Sequence, residues 1–249
     1  ILYHGVESPL SGYSGGEIDL TVVRENTEGE YSDVGGRIYQ QTENEVAVQT
    51  SVFTRRGTER IIRYAFELAR QRDKKNKVTS ITKSNAQGYS MVFWDEVFAS
   101  IAAEYSDISS DSLLVDAASM DFIRRPSSFD VVVASNLFGD ILTDISAIIV
   151  GSMGLAPSAN INPARNAPSM FEPVHGSAFE LIGKGEANPL ATIIAGAMML
   201  EFLGDSAAGT RIRQAVADNL RERAVQTPDL GGTASTRQVG DDIARRISG

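Results

Sequence analysis

Asp140 and Asp144 stand four residues apart in Asn136-Leu137-Phe138-Gly139-Asp140-Ile141-Leu142-Thr143-Asp144. On a helix that spacing puts both carboxylates on one face, one turn apart. Like charges so placed repel, and a bound cation relieves them; the plainer reading is a solvated acidic first turn favoured by the helix dipole. Spacing alone leaves both open. The segment follows the apolar run Val131-Val132-Val133-Ala134, and α/β folds place their sites just past the ends of such buried strands. Lys83, in Thr82-Lys83-Ser84-Asn85, and Asp116 close two further apolar runs. A lysine and a carboxylate at two strand ends can converge on one pocket, or each can be an ordinary solvated residue. Arg24 follows a fourth run, 18–23, and is either a surface charge or a fork for a carboxylate. Tyr31 is in the same way either a packing residue or a proton donor.

The metal chemistry open to the chain is narrow. It has no cysteine, which removes disulfides, thiolate metal sites, iron–sulfur clusters and a cysteine nucleophile. With only His4 and His175, an imidazole zinc site would need both or a carboxylate substitute, so a bound metal is expected to be a hard cation held by oxygen. His175-Gly176-Ser177-Ala178-Phe179-Glu180, followed by Gly183-Lys184-Gly185, is punctuated by glycine and expected to open a helix, bringing backbone amides close to a phosphate. It is not a P-loop, since no Ser or Thr follows the lysine, and no G-x-G-x-x-G occurs in the chain.

These side chains need a scaffold, and the pattern supplies one. Residues 18–23, 78–82, 113–115 and Val131–Ala134 read as strands, and 89–104 and 138–150 as helices. Thr58 is a candidate cap for a helix to about Arg72, in which Ile61, Ile62, Ala65, Phe66 and Ala69 share a face. Residues 38–53 alternate, with Val46, Val48, Thr50 and Val52 on one side, as in an antiparallel ribbon. Alternating strands and helices indicate an α/β architecture. The Gly/Pro/Asn-rich stretch 151–168 breaks the pattern and is expected to be a domain crossover, dividing the chain into 1–150 and 151–249; helices follow at Leu190–Leu203 and 211–224.

Composition is that of a folded protein with a core of its own. The 249 residues are 42% hydrophobic, enough for a real core, and 22% charged, which excludes the disordered class. A net charge of −9 argues against binding a phosphate backbone. No stretch reaches the roughly 20 apolar residues of a membrane span. No signal peptide is visible, so the expected compartment is the cytoplasm; because the chain begins at Ile1 and not at methionine, a mitochondrial location stays open.

Taken together, these segments resemble the isocitrate/isopropylmalate dehydrogenase family of decarboxylating 2-hydroxyacid dehydrogenases. The residues that carry the resemblance are VRENTEGEYS (23–32), TKSN (82–85), Asp116, SNLFGDILTD (135–144), FEPVHGSA (171–178) and ANP (187–189). The acidic Glu25-Asn26-Thr27-Glu28-Gly29-Glu30-Tyr31 and the continuation through Ser51-Val52-Phe53-Thr54-Arg55-Arg56-Gly57 look most like the branch acting on tartrate and D-malate. The resemblance implies an α/β fold of two domains sharing a central sheet, with the family's N-terminal part missing from this chain. Residues to about 150 would form the substrate and dimerisation domain, its ribbon an arm that clasps a second subunit. Residues from 151 would form the later part of the cofactor domain.

For the site, the resemblance implies a homodimer with shared active sites. Asp140 and Asp144 would bind Mg²⁺ or Mn²⁺ together with Asp116 from the partner, with K⁺ a further candidate cation. Lys83, also from the partner, would take the proton of the substrate's 2-hydroxyl, Tyr31 would return one to the enolate left by CO₂, and Arg24 would grip a carboxylate. His175, Gly176, Ser177, Ala178 and Asn188 would hold the adenosine of the cofactor. Glu180 would accept its ribose hydroxyls and repel a 2′-phosphate, which favours NAD over NADP. Phe179 stands where the family commonly has proline. The readings that compete are an isopropylmalate or isocitrate dehydrogenase and, from another class, a non-catalytic regulatory or assembly subunit.

Overall fold

In the computed structural model, which describes residues 1–248, the first half of the chain alternates strands and helices. β1 (Thr21–Arg24) is followed by an antiparallel pair, β2 (Gly35–Ile38) and β3 (Val46–Gln49), then α1 (Arg55–Arg72), β4 (Lys77–Thr82), α2 (Ser90–Ala102), β5 (Ser109–Leu114), α3 (Val115–Arg124), β6 (Val131–Ala134) and α4 (Asn136–Ile149). β1, β6, β4 and β5 form a parallel sheet in that order. β6 is central, and all four of its residues are buried, as expected of a strand covered on both faces. The pairings Arg24↔Ala134 and Thr82↔Leu114 bring the C-terminal ends to one edge.

The helices of this half pack by their apolar stripes. Ile62, Ala65, Phe66 and Ala69 of α1 are buried, and the Phe66 ring stacks on Tyr105 at 4.8 Å. Trp94 of α2 is fully buried and donates its indole N–H to Ser80 Oγ at 2.9 Å. Thr58, expected to cap α1, instead lies inside it and is buried; the cap is Thr54, whose hydroxyl accepts from Gly57 N. The helix starts four residues earlier because Thr54 and Glu28 together satisfy its free amides. Asp116, expected at a strand end, lies in the first turn of α3, which follows β5 without a loop. α3 escapes the sequence pattern because no side chain caps it and the buried Asp121 interrupts its apolar face.

The chain divides into two compact units, one of residues Asp19–Thr143 and the other of Ile1–Ile18 with the chain from Asp144 on. In the second unit Ser8 Oγ donates to Ile149 O at 2.6 Å, tying the first residues to the end of α4. The stretch expected to be an irregular crossover contains β7 (Pro157–Asn160), which pairs antiparallel with β8 (Met170–Pro173). Three helices complete this unit: α5 (Leu190–Leu203), α6 (Ser206–Glu222) and α7 (Thr236–Ser248). Leu155, Leu190, Ile194, Val216, Leu220, Val239 and Ile243 form its core. α6 begins earlier than its apolar pattern because Asp205 caps it, accepting from Ala208 N at 2.9 Å. None of the described helices is long and apolar enough to cross a membrane.

Candidate active site

Parallel register delivers one group after another to the same sheet edge. Arg24 is the last residue of β1, Lys83 follows β4, Asp116 follows β5, and α4 opens two residues after β6. Arg24 Nη1 donates to Asp140 Oδ1 at 2.6 Å, while Nε and Nη2 donate to Asn136 Oδ1 at 3.0 and 2.8 Å. Tyr31 OH donates to Asp140 Oδ2 at 3.1 Å, and the Arg24 guanidinium lies 5.6 Å from the centre of the Tyr31 ring. Arg24 can lie flat on the first turn of α4 only because residue 139 is glycine, since a Cβ there would come within 2.6 Å of Arg24 Cγ. The hydrogen bond to the Asp140 carboxylate holds the exposed Tyr31 hydroxyl above the ordinary phenol range, so it stays protonated at neutral pH.

The acidic loop that carries Tyr31 turns out to be scaffolding, a role not read from its sequence. Glu25 is buried and accepts from Arg60 Nη2 at 3.0 Å and from Thr27 N at 2.7 Å. Glu28 accepts from Thr54 N and Oγ1, both at 2.8 Å, so it ties the loop to the start of α1; a Cβ on Gly57 would collide with its carboxylate. Glu30 accepts from Ser135 Oγ at 2.6 Å and from Leu137 N at 3.1 Å, tying the same loop to the start of α4. Asn136 completes the join by donating to Glu28 O at 3.2 Å. An acid beside the first turn of a helix is a recognisable capping signal, but here the acids are more than a hundred or about twenty-six residues away from the turns they cap.

Lys83 and Asp116 do converge: Nζ and Oδ1 are 2.6 Å apart, and the lysine ammonium holds the Asp116 carboxyl below the usual carboxylate range. They form a pair separate from the Arg24 cluster, since β6 lies between β1 and β4. Among the described residues, no three Asp, Glu or His side chains come together as a metal site. Asp140 and Asp144 both lie on α4, with the Asp140 side chain 43% exposed. Asp116, 60% exposed, is accessible to another molecule.

In the second unit, the segment from His175 does not open a helix as expected. Ala178 has φ 42°, Phe179–Leu181 makes a single 3₁₀ turn, and Gly183 and Gly185 have φ 79° and 67°, so the chain turns left-handed too often to propagate a helix. The result is an exposed loop presenting Gly176, Ser177 and Glu180, with Phe179 78% exposed. Its end is tied down: Thr236 N donates to Gly185 O at 2.8 Å, Thr236 Oγ1 to Ala187 O at 2.6 Å, and Asn188 Nδ2 to Asp229 Oδ2 at 3.0 Å.

Residues 2–243 match the isocitrate/isopropylmalate dehydrogenase family. The chain is 52% identical to the D-malate dehydrogenase [decarboxylating] of Escherichia coli K12 and 51% identical to a tartrate dehydrogenase/decarboxylase of Pseudomonas putida. In both comparisons 99% of this chain is covered, and 69% of the relative. The crystal structure of an isocitrate dehydrogenase from Methylococcus capsulatus superposes with a TM-score of 0.92 at 41% identity, covering 100% of this chain and 71% of that one.

Proposed function

The chain belongs to the isocitrate/isopropylmalate dehydrogenase family, and from that premise we propose that it oxidises a small 2-hydroxy acid, D-malate or tartrate, using NAD and a divalent metal, with loss of CO₂. The observation that carries the reading is the Arg24–Asp140–Tyr31 cluster at the C-terminal edge of the parallel sheet. Arg24 offers a fork for a substrate carboxylate once it is released from Asp140. Tyr31 holds its proton at neutral pH, which suits it to protonate carbon after CO₂ has left. Lys83 of a second copy takes the proton of the substrate hydroxyl. When bound, NAD supplies the hydride acceptor, and Mg²⁺ or Mn²⁺, held by Asp140 and Asp144 with Asp116 of a second copy, supplies the Lewis acid. Three carboxylates suit such a hard cation, and the exposure of Asp140 and Asp116 leaves both within reach of a second copy.

The loop from His175 to Ala178, with Asn188, takes the adenosine half of the cofactor in this reading. Glu180 accepts the ribose hydroxyls and repels a 2′-phosphate. Residues from 151 on then serve the cofactor, and those to 150 serve substrate and dimerisation. The likeness to the Methylococcus capsulatus enzyme favours an isocitrate dehydrogenase as the second reading. NAD reduction by the purified protein, assayed with D-malate, tartrate, isopropylmalate and isocitrate with and without Mn²⁺, decides between them. Mn²⁺-dependent turnover of D-malate or tartrate is expected. Turnover of isocitrate or isopropylmalate alone would transfer the protein to that branch, and none with any of the four would favour a regulatory or assembly subunit.

A further inference from the structure

Asp229, in the segment between α6 and α7, is the hub of a small polar network. Its Oδ1 accepts from Thr227 Oγ1 at 2.5 Å, and its Oδ2 accepts from Ser152 Oγ at 2.5 Å and from Asn188 Nδ2 at 3.0 Å. Thr227 is buried and Ser152 nearly so, so two of the three groups that hold the carboxylate are fixed in the core. Ser152 is fixed further by accepting from Gly154 N at 3.0 Å. On the other side of the Asn188 amide, Oδ1 accepts from Leu190 N at 3.0 Å, at the start of α5.

This arrangement removes an ambiguity that every asparagine carries. An amide can rotate by half a turn and exchange donor for acceptor at little cost unless its partners forbid it. A carboxylate only accepts and a backbone N–H only donates, so Asp229 and Leu190 together permit one orientation of Asn188. One Nδ2 hydrogen and one Oδ1 lone pair then remain, in fixed directions, for a ligand. Gly154 supports the Asn188 side chain from behind: a Cβ there would sit 2.7 Å from Asn188 Cβ and 3.0 Å from its Cγ and Nδ2.

We propose that Asp229 is a positioning residue for adenosine recognition, locking the Asn188 amide in one orientation without itself having to touch the nucleotide. The proposal rests on the reading of the loop from His175 to Asn188 as the adenosine site. An amide free to turn presents the correct face for part of the time only and loses the bond that holds it, which amounts to about a tenfold loss of affinity for the adenosine half.

Titration calorimetry with ADP-ribose, alongside steady-state kinetics, tests this on the intact protein. For Asp229→Ala the dissociation constant of ADP-ribose and the KM for NAD are expected to rise about tenfold, with kcat at saturating NAD retained. Asp229→Asn keeps an oxygen that accepts from Asn188 and is expected to recover most of that loss. Gly154→Ala pushes on Asn188 while leaving Asp229 intact, so it should weaken ADP-ribose binding in the same way, and it serves if Asp229→Ala does not fold. Wild-type affinity in Asp229→Ala, or an equal fall in kcat and in ADP-ribose affinity with no recovery in Asp229→Asn, would overturn the positioning role. Failure of the wild-type protein to bind ADP-ribose would instead overturn the adenosine reading of the loop.

Discussion

Arg24 and Asp140 meet as an ion pair in a place where each is proposed to serve something else, a substrate carboxylate for one and a cation for the other. In that proposal the pair stands in for both ligands; Tyr31 is bonded to the second oxygen of the same carboxylate. Asp140→Asn removes the charge a dication needs, so Mn²⁺ titration by calorimetry is expected to show loss of binding, with the fold retained by far-UV circular dichroism. Unchanged Mn²⁺ affinity would remove Asp140 from the metal site. For Tyr31→Phe, turnover is expected to fall by about 10²- to 10⁴-fold. Because its hydrogen bond to Asp140 raises the Tyr31 pKa, the phenol stays protonated throughout the physiological range. In the metal-free protein the Tyr31 phenol should therefore ionise, by its ultraviolet difference spectrum, only above the ordinary phenol value of about 10. A spectral step at lower pH that disappears in Tyr31→Phe would contradict that assignment.

At the scale of elements, the buried strands and the helices that carry a periodic apolar face were legible in the sequence, whereas the β7–β8 pair and the polar first half of β5 were not. Val131–Ala134 and Leu190–Leu203 were read to the residue, since one is wholly apolar and the other lies between Pro189 and Gly204. α3 and α7 were missed for a common reason: each buries a charged residue, Asp121 or Asp242, in the middle of its inward face. Asp242 accepts from Arg246 Nε at 2.6 Å, Asn219 Nδ2 at 2.9 Å and Arg245 Nη2 at 2.8 Å, joining α7 to α6. Burial alone would raise its pKa, but these hydrogen bonds and the two arginine charges outweigh burial and leave it below the ordinary value. Such a depressed carboxylate stabilises the fold above the unfolded value of about 3.9, and the contribution is lost as pH falls through the folded value. Asp242→Ala should thus cost about 1–3 kcal/mol in urea denaturation at pH 7, and the deficit should shrink below pH 4. A deficit independent of pH would mean that the carboxylate's charge is not what matters. In the candidate site, the residues of the expected set were visible by type and by motif, but their supports were not. Glu30 sits more than a hundred residues from the turn of α4 that it caps, and no local pattern encodes a partnership over that distance. Glu30→Ala is expected to cost about 1 kcal/mol, as loss of a helix cap does, and to lower kcat because Tyr31 and α4 are joined through it.

At the scale of the whole molecule, a single chain brings Arg24, Tyr31 and Asp140 together on one hand and Lys83 with Asp116 on the other, but not the two sets with each other. The β2–β3 ribbon meanwhile exposes Ile38, Val46 and Val48, between 44% and 58% accessible, on a hairpin of four-residue strands. Two strands with so much apolar surface are marginal alone and gain most by packing against another chain. If the ribbon clasps a second copy and each site takes Lys83 and Asp116 from that copy, Val48→Asp should shift the protein toward monomers in sedimentation velocity and abolish turnover with the site residues untouched. Mixing chains gives the sharper test. Lys83→Met and Asp140→Asn homodimers should both be inactive. In a dimer of one Lys83→Met and one Asp140→Asn chain, one site collects both substitutions and the other collects neither. Random exchange at equal concentrations makes half of the dimers mixed, so about a quarter of wild-type activity should return. A site built within one chain carries one of the two lesions in every case, and the mixture would then stay silent however long the subunits exchange.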